Sequence, residues 1–400
     1  MKNFFLSSVA FAILILLISC GDDNEDEKDI LLSYRGGTGS SELFVLTDQE
    51  GNFIDSVDVF ELESYDFLAD PQIERYTLTR IIFSETTTSG LSVFSQYDIN
   101  TSLIEIDPFS SGPQFDLANL VLDPSIDDVI VSTPVNTRFG SVSNIENTNL
   151  EYLPGNFIYA GISDPVTPKY AIYDNVTPGD LNINRSDFID MEFHPIEFAS
   201  EITFFRPLIL VGNNQDPLST ELNYLADFDG IINGPNQFNN GITDGIFYPG
   251  DFFSFYTSIF EYGLPAGDGT SIRGIDTYYS SLPSSITPLE VDFQVEEDFM
   301  NYSVEASGDF DLVSTQWVNA GATDFFVNWI IEGTQGSNYP KQAIISIINS
   351  KYPQFDLSGL QHGATTFSDY SDQSYDNVIN EGIDARTPQT VTRSLRVQFF

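Results

Sequence analysis

Cysteine is almost missing from this 400-residue chain, and Cys20 is the only one. No internal disulfide can form, so stability must come from packing or from bound cations. Imidazole is nearly as scarce, with His194 and His362 alone. That disfavours a multi-histidine zinc centre. Neither histidine adjoins a nucleophile motif, so both are read as structural. Basic residues are few: 15 Lys and Arg stand against 59 Asp and Glu, a formal net charge of −44. Such a body is repelled by nucleic acid and by anionic lipid headgroups, which excludes both as main partners. The G-x-S-x-G elbow, the H-E-x-x-H helix and the G-K-[ST] phosphate loop are all lacking. Gly36, Gly37 and Gly39 sit in a glycine-rich stretch without that lysine, which reads as a flexible turn. Glycoside cleavage needs only two carboxylates, and 59 acids leave that chemistry open.

What is present begins at the amino terminus. Lys2 precedes an apolar run over residues 4–18, interrupted only by Ser7 and Ser8. The run is shorter than the roughly 20 residues of a spanning helix, and small Ser19 follows it, the pattern of a cleaved export signal over residues 1–19. Leu17-Ile18-Ser19-Cys20 resembles the lipobox of bacterial lipoproteins. The resemblance implies diacylglycerol on the Cys20 thiol, cleavage before Cys20 and acylation of the new amino group. Two or more acyl chains are what a stable anchor needs, since one holds only marginally. Gly21-Asp22-Asp23-Asn24-Glu25-Asp26-Glu27-Lys28-Asp29 cannot bury anything, so residues 20–29 form a solvated tether. This stretch is similar to the acidic export signal of Bacteroidetes surface lipoproteins, which implies the outer face of the outer membrane. The periplasmic face is the alternative.

The remaining sequence reads as β. Leu91, Val93, Tyr97 and Ile99 take alternate positions broken only by Ser95, as do Phe325, Val327, Trp329 and Ile331 without a break, and again Leu395, Val397 and Phe399. Period two turns one set to a core and the other to solvent. Asp48-Gln49-Glu50-Gly51-Asn52 lies between apolar runs and predicts a hairpin turn. Residues 343–348 suit a short helix or a strand equally. Pro and Ser clusters divide the body into 30–149, ending in an Asn/Ser/Thr-rich linker over 136–149, then 150–288 and 289–400. These lengths suit an all-β fold of two or three β-sandwich modules in tandem, immunoglobulin-like or jelly-roll-like. The final aromatics, Phe399 and Phe400, are expected to complete an edge strand rather than a membrane barrel.

Few local groups suggest a site. Asp180, Asn182 and Asn184 match the first, third and fifth places of a calcium loop, similar to those of dockerins and EF-hands. Arg185 stands where such loops need Gly, and Met191 where they need Glu. Ca²⁺ is therefore the one cofactor to consider, with a plain surface loop as the alternative. Asp227 with Asp229, and Asp369 with Asp372 and Asp376, are weaker acidic groups. Among the aromatics, Tyr248, Phe252, Phe253, Phe255 and Tyr256 are read as core. Tyr278 and Tyr279 follow a Gly, Ser and Asp-rich stretch and could present rings to a sugar. Asp55-Ser56-Val57 resembles the O-glycosylation site of exported Bacteroidetes proteins, which would place the sugar on Ser56.

These readings lead to a lipid-anchored surface protein that binds a glycan, a polymer or an envelope partner on loops held by a rigid scaffold. A carboxylate-dependent polysaccharide hydrolase and a structural or adhesion protein are the alternatives.

Overall fold

The computed structural model describes residues 30–35, 41–59, 64–84, 89–99, 104–106, 115–164, 167–215, 222–226, 245–319, 325–371, 375 and 391–399. Residues 1–29, which include Cys20 and the stretches expected to form an export signal and a tether, residues 36–40, the Asp227 and Asp229 pair, Asp372, Asp376 and Phe400 lie outside them.

The chain is all-β. In order it runs β1 (Ile30–Arg35), β2 (Ser41–Asp48), β3 (Phe53–Asp58), β4 (Ser64–Leu68), β5 (Tyr76–Ser84), β6 (Ser89–Ile99), β7 (Ile104–Ile106), β8 (Asp116–Leu122), β9 (Asp128–Ser132) and β10 (Thr137–Ser141). A helical turn, α1 (Val142–Ile145), leads to β11 (Asn149–Tyr152), β12 (Ile158–Ile162), β13 (Lys169–Tyr173), β14 (Gly179–Ile183), β15 (Ile189–Asp190), β16 (Glu192–Pro195) and β17 (Glu197–Phe198). Then follow β18 (Phe204–Asn213), β19 (Asn223–Ala226), β20 (Gly245–Tyr248), β21 (Phe255–Leu264), β22 (Thr270–Tyr278), β23 (Ser285–Ile286), β24 (Val291–Val295) and β25 (Val304–Gly308). The last elements are β26 (Leu312–Val318), β27 (Phe325–Gly333), α2 (Gln342–Lys351), β28 (Gln361–Tyr370) and β29 (Val391–Phe399).

One sheet of twelve strands, in the order β19-β18-β21-β22-β29-β28-β26-β27-β6-β5-β2-β3, dominates the molecule. All its neighbours are antiparallel except β6 and β27, which run parallel from Ser89↔Phe325 to Gln96↔Glu332. The sheet takes four strands from each of the segments 30–149, 150–288 and 289–400, so both expected seams are bridged by backbone pairing. Strand pairing is non-local, and Pro or Ser clusters mark turns without saying which strands meet. The stretch 136–149 is likewise no linker, since it carries β10, α1 and the start of β11. β11 pairs with β8 and β12 with β9, so a small sandwich spans the expected seam at 149/150. Its core joins Leu120, Val129, Val131, Leu150, Tyr152, Ile158 and Ile183.

Alternation explains the large core. Val327, Trp329 and Ile331 are fully buried on one face of β27, while Asn328 and Glu332 point the other way. Trp317 opposes Trp329, and Phe299 packs on both rings with centroids 5.3 and 5.0 Å away. Ser95 accepts the Trp329 indole N–H at 3.0 Å, which satisfies a donor that could not otherwise be buried cheaply. Residues 343–348 resolve as helix: Ile344, Ile345 and Ile348 of α2 turn one side onto this cluster. In β2, Leu43 and Val45 face that cluster while Phe44 and Leu46 join a second one behind, so the strand is buried on both faces.

Ile99 departs from its expected face. Asp98 adopts φ 61° and the β5–β6 register shifts there, which swings Ile99 into the second cluster, away from Tyr97. The Asp48–Asn52 hairpin forms as expected. Asp48 Oδ1 accepts the backbone N–H groups of Glu50 and Asn52 at 3.0 and 2.7 Å, and Gly51 takes φ +81°. The terminal strand β29 is not an edge, because it lies between β22 and β28 with Leu395 and Val397 buried. No helix among the described residues is long and apolar enough to cross a membrane.

Candidate functional site

The site grows from one face of β22. Period two places Gly274, Asp276 and Tyr278 on the same side. Tyr262 opposes Gly274 on β21, and a β-carbon at Gly274 would overlap the Tyr262 ring. Because glycine leaves that space open, the ring lies over the strand and its hydroxyl donates to Asp276 Oδ1 at 3.0 Å. Tyr278 donates to Asp276 Oδ2 at 3.2 Å. On the other side of β22, Arg393 of β29 opposes Asp276, and Asp369 of β28 opposes Arg393. Arg393 Nη1 stands 3.8 Å from Asp369 Oδ2. Two carboxylates therefore flank one guanidinium across three strands.

Asp276 is completely enclosed. Burial drives its carboxyl up from the usual range to about 7, against the opposing pull of the Tyr262 and Tyr278 hydroxyls and the Arg393 charge, with Asp369 adding to the rise. Burial also raises the Tyr262 and Tyr278 phenols, and the neighbouring Asp276 charge adds to it, so both remain protonated donors at neutral pH. Asp369 is raised too, by burial first and then by Asp311 and Asp309, while Arg393 lowers it.

A groove of about 370 Å³ opens beside this network, lined by Tyr278, Arg393 and the loop residues Ser281, Leu282, Pro283, Ser284, Ser285 and Thr287. The loop is fastened from below. His194 Nε2 lies 3.0 Å from the Pro283 carbonyl, which can only accept, so Nε2 carries the proton. β23 pairs in parallel with β17, Glu197 N–H donates to the Ser284 carbonyl at 2.9 Å, and Ile286 is fully buried. Among the described residues that line it, Arg393 alone is charged. Five others, Tyr278, Ser281, Ser284, Ser285 and Thr287, bring hydroxyls. A larger groove of about 460 Å³ lies between β3 and α2, where Lys351 pairs with Asp58 at 2.9 Å and both are substantially exposed. It holds no buried ionisable group among its lining residues.

Tyr278 lines the groove but is only 9 % exposed, and its ring packs in the core 6.0 Å from Phe260, so it offers an edge and a hydroxyl rather than a stacking face. Tyr279 has the opposite parity and lies by Tyr370. Asp180 and Asn182 are exposed on β14, and Asn184 caps a 3₁₀ turn by a reciprocal bond with Asp187. Alternate residues of an extended strand stand roughly 6–7 Å apart, so these three oxygens run along a line instead of converging on an ion. Asp180 instead accepts the Asn119 amide at 2.9 Å. Among the described residues no group of three or more His, Cys, Asp or Glu side chains could hold a metal ion. Ser56 is exposed on the edge strand β3 and is among the residues lining the larger groove. Phe253 and Tyr256 are core, and Tyr248, Phe252 and Phe255 are half-buried. His362 is pushed down to about 4 by burial, and its Nε2 lies 2.9 Å from Thr365 Oγ1.

Asp276 and Arg393 were not singled out. The signal for Asp276 was an acid at a core-facing parity, two residues from Tyr278. Arg393 has no such local mark, because the pairing of β22 with β29 brings it in. No protein-family model matches the chain, and no characterised protein matches it in sequence.

Proposed function

We propose that this chain is a lipid-anchored surface protein that binds a glycan in the groove beside Tyr278 without cleaving it. The observation that carries the reading is the groove lining, in which five hydroxyl-bearing side chains surround two apolar ones on a fastened loop. Hydroxyls exchange donors and acceptors freely with sugar hydroxyls, and half-buried Leu282 gives an apolar edge beside them. The Leu17-Ile18-Ser19-Cys20 box supports the anchor.

A carboxylate-dependent hydrolase draws support from Asp276, whose proton is poised near neutrality. Binding is preferred because both oxygens of that carboxyl already accept from tyrosines and the side chain is sealed from solvent. Its proton has no direct path to a glycosidic oxygen. Saturation-transfer NMR against soluble oligosaccharides tests the reading. Transfer lost in Ser284→Val with Thr287→Val supports groove binding, and release of reducing ends that stops in Asp276→Asn would establish the hydrolase instead. Cys20→Ala should move the chain from the membrane to the soluble fraction.

A further inference from the structure

We infer that the groove selects an acidic sugar, with its carboxylate on Arg393, and that this ligand enters together with a proton taken up by Asp276. The inference rests on the reading of the groove as a glycan site and names the class of glycan.

The first observation is a local inversion of charge. The chain carries 59 acids against 15 bases, yet among the described residues the only ionic group lining this groove is a guanidinium. The Arg393 side chain is 40 % exposed, so part of it reaches solvent, while on its inner side it hydrogen-bonds Tyr278 and faces Asp369. A planar fork of N–H donors that reaches solvent is matched to a carboxylate.

The second observation is what already competes for that guanidinium. Among the described residues, the charged and titratable groups around Asp276 are Tyr262 from β21, Tyr278 from its own strand, Arg393 from β29 and, beyond Arg393, Asp369 from β28. With both Asp276 and Asp369 ionised, the trio is net negative and repels an anion. When Asp276 takes a proton, that repulsion falls and Arg393 is left to the ligand and to Asp369. The Asp276 carboxyl titrates near 7, so this exchange falls in an accessible range. The ligand carboxylate, with an ordinary low value, stays ionised throughout. Charge balances: one anion binds and one proton is taken up. Asp276 touches no ligand and is a positioning residue; Arg393 and Tyr278 make the contact.

The test is calorimetric titration of the unmodified protein with D-glucuronate and with D-glucose at pH 6 and pH 8, in two buffers of different ionisation enthalpy. Glucuronate should bind about tenfold more tightly at pH 6 than at pH 8, with heats that differ between buffers in the sense of proton uptake. Glucose should bind more weakly than glucuronate at pH 6 and show no pH dependence. Asp276→Asn should hold the pH 6 affinity for glucuronate at pH 8. Should that variant fail to fold, Asp369→Asn, on the outer side of Arg393, should also tighten glucuronate at pH 8. Arg393→Gln should erase the preference for glucuronate. Equal binding of the two sugars at both pH values would overturn the inference while leaving a neutral glycan groove intact. Glucuronate binding that survives Arg393→Gln would overturn it by placing the anion elsewhere. If neither sugar binds, the glycan reading falls and the inference with it.

Discussion

The Tyr262 hydroxyl reaches Asp276 Oδ1, 3.0 Å away, across the space that Gly274 leaves open. Three positions on two strands thus depend on one another. A methyl at Gly274 would force the Tyr262 ring off the strand and take the hydrogen bond with it. Gly274→Ala should cost about 2–4 kcal/mol, the sum of overpacking and a lost bond to a buried acid. Tyr262→Phe, which loses only the bond, should cost about 1–2 kcal/mol. Urea denaturation of the two variants checks the order. A Gly274→Ala loss no larger than that of Tyr262→Phe would show that the ring has room to move.

Asp276 gives the stability a definite dependence on pH. Its folded value, about 7, lies above the unfolded value of 3.8. Between these values the folded chain holds a proton that the unfolded chain releases, so this residue's contribution falls as pH rises through the window and is level above about 7. The upper bound on the change is roughly 4 kcal/mol. The parent minus Asp276→Asn difference in unfolding free energy should therefore shift against the parent from pH 4 to pH 8. Comparing the two chains cancels the other acids. A difference that is flat across that range would mean that Asp276 stays ionised in the folded state.

Both tryptophans are fully buried, in one aromatic cluster with Phe299. Their emission should be blue-shifted and insensitive to iodide, and a sugar in the groove should leave it unchanged, since neither indole lines it. Trp329→Phe removes the 3.0 Å bond to Ser95 as well as volume, and should cost about 2–4 kcal/mol. Iodide quenching of the folded parent would contradict the packing.

The alternation of Val327, Trp329 and Ile331 was legible, and so was the turn at Asp48, because each is a local rule read within a few residues. What the sequence did not reveal was partnership. Trp329 lies beside Val93 only because β27 runs parallel to β6, two strands more than 200 residues apart. Asp276 meets Arg393 and Asp369 by the same kind of long-range pairing. Tyr278 could be picked out from its setting, but its setting suggested an exposed ring, and only the fold shows a buried ring with a hydroxyl at a groove.

That partnership predicts how the chain can be cut. A piece spanning 30–149 would leave β6 without β27 and would divide the small sandwich between β8 and β11. Unpaired edges and a halved core should leave it aggregated or without dispersed amide resonances. A piece spanning 115–190 keeps both sheets of that sandwich, with Leu120, Val131, Tyr152 and Ile158 still enclosed. It should give native-like dispersion in a proton–nitrogen spectrum, at reduced stability, because Ile130 and Tyr159 lose the partners they have in the neighbouring cluster. A well-folded 30–149 piece alongside an unfolded 115–190 piece would contradict the strand pairing.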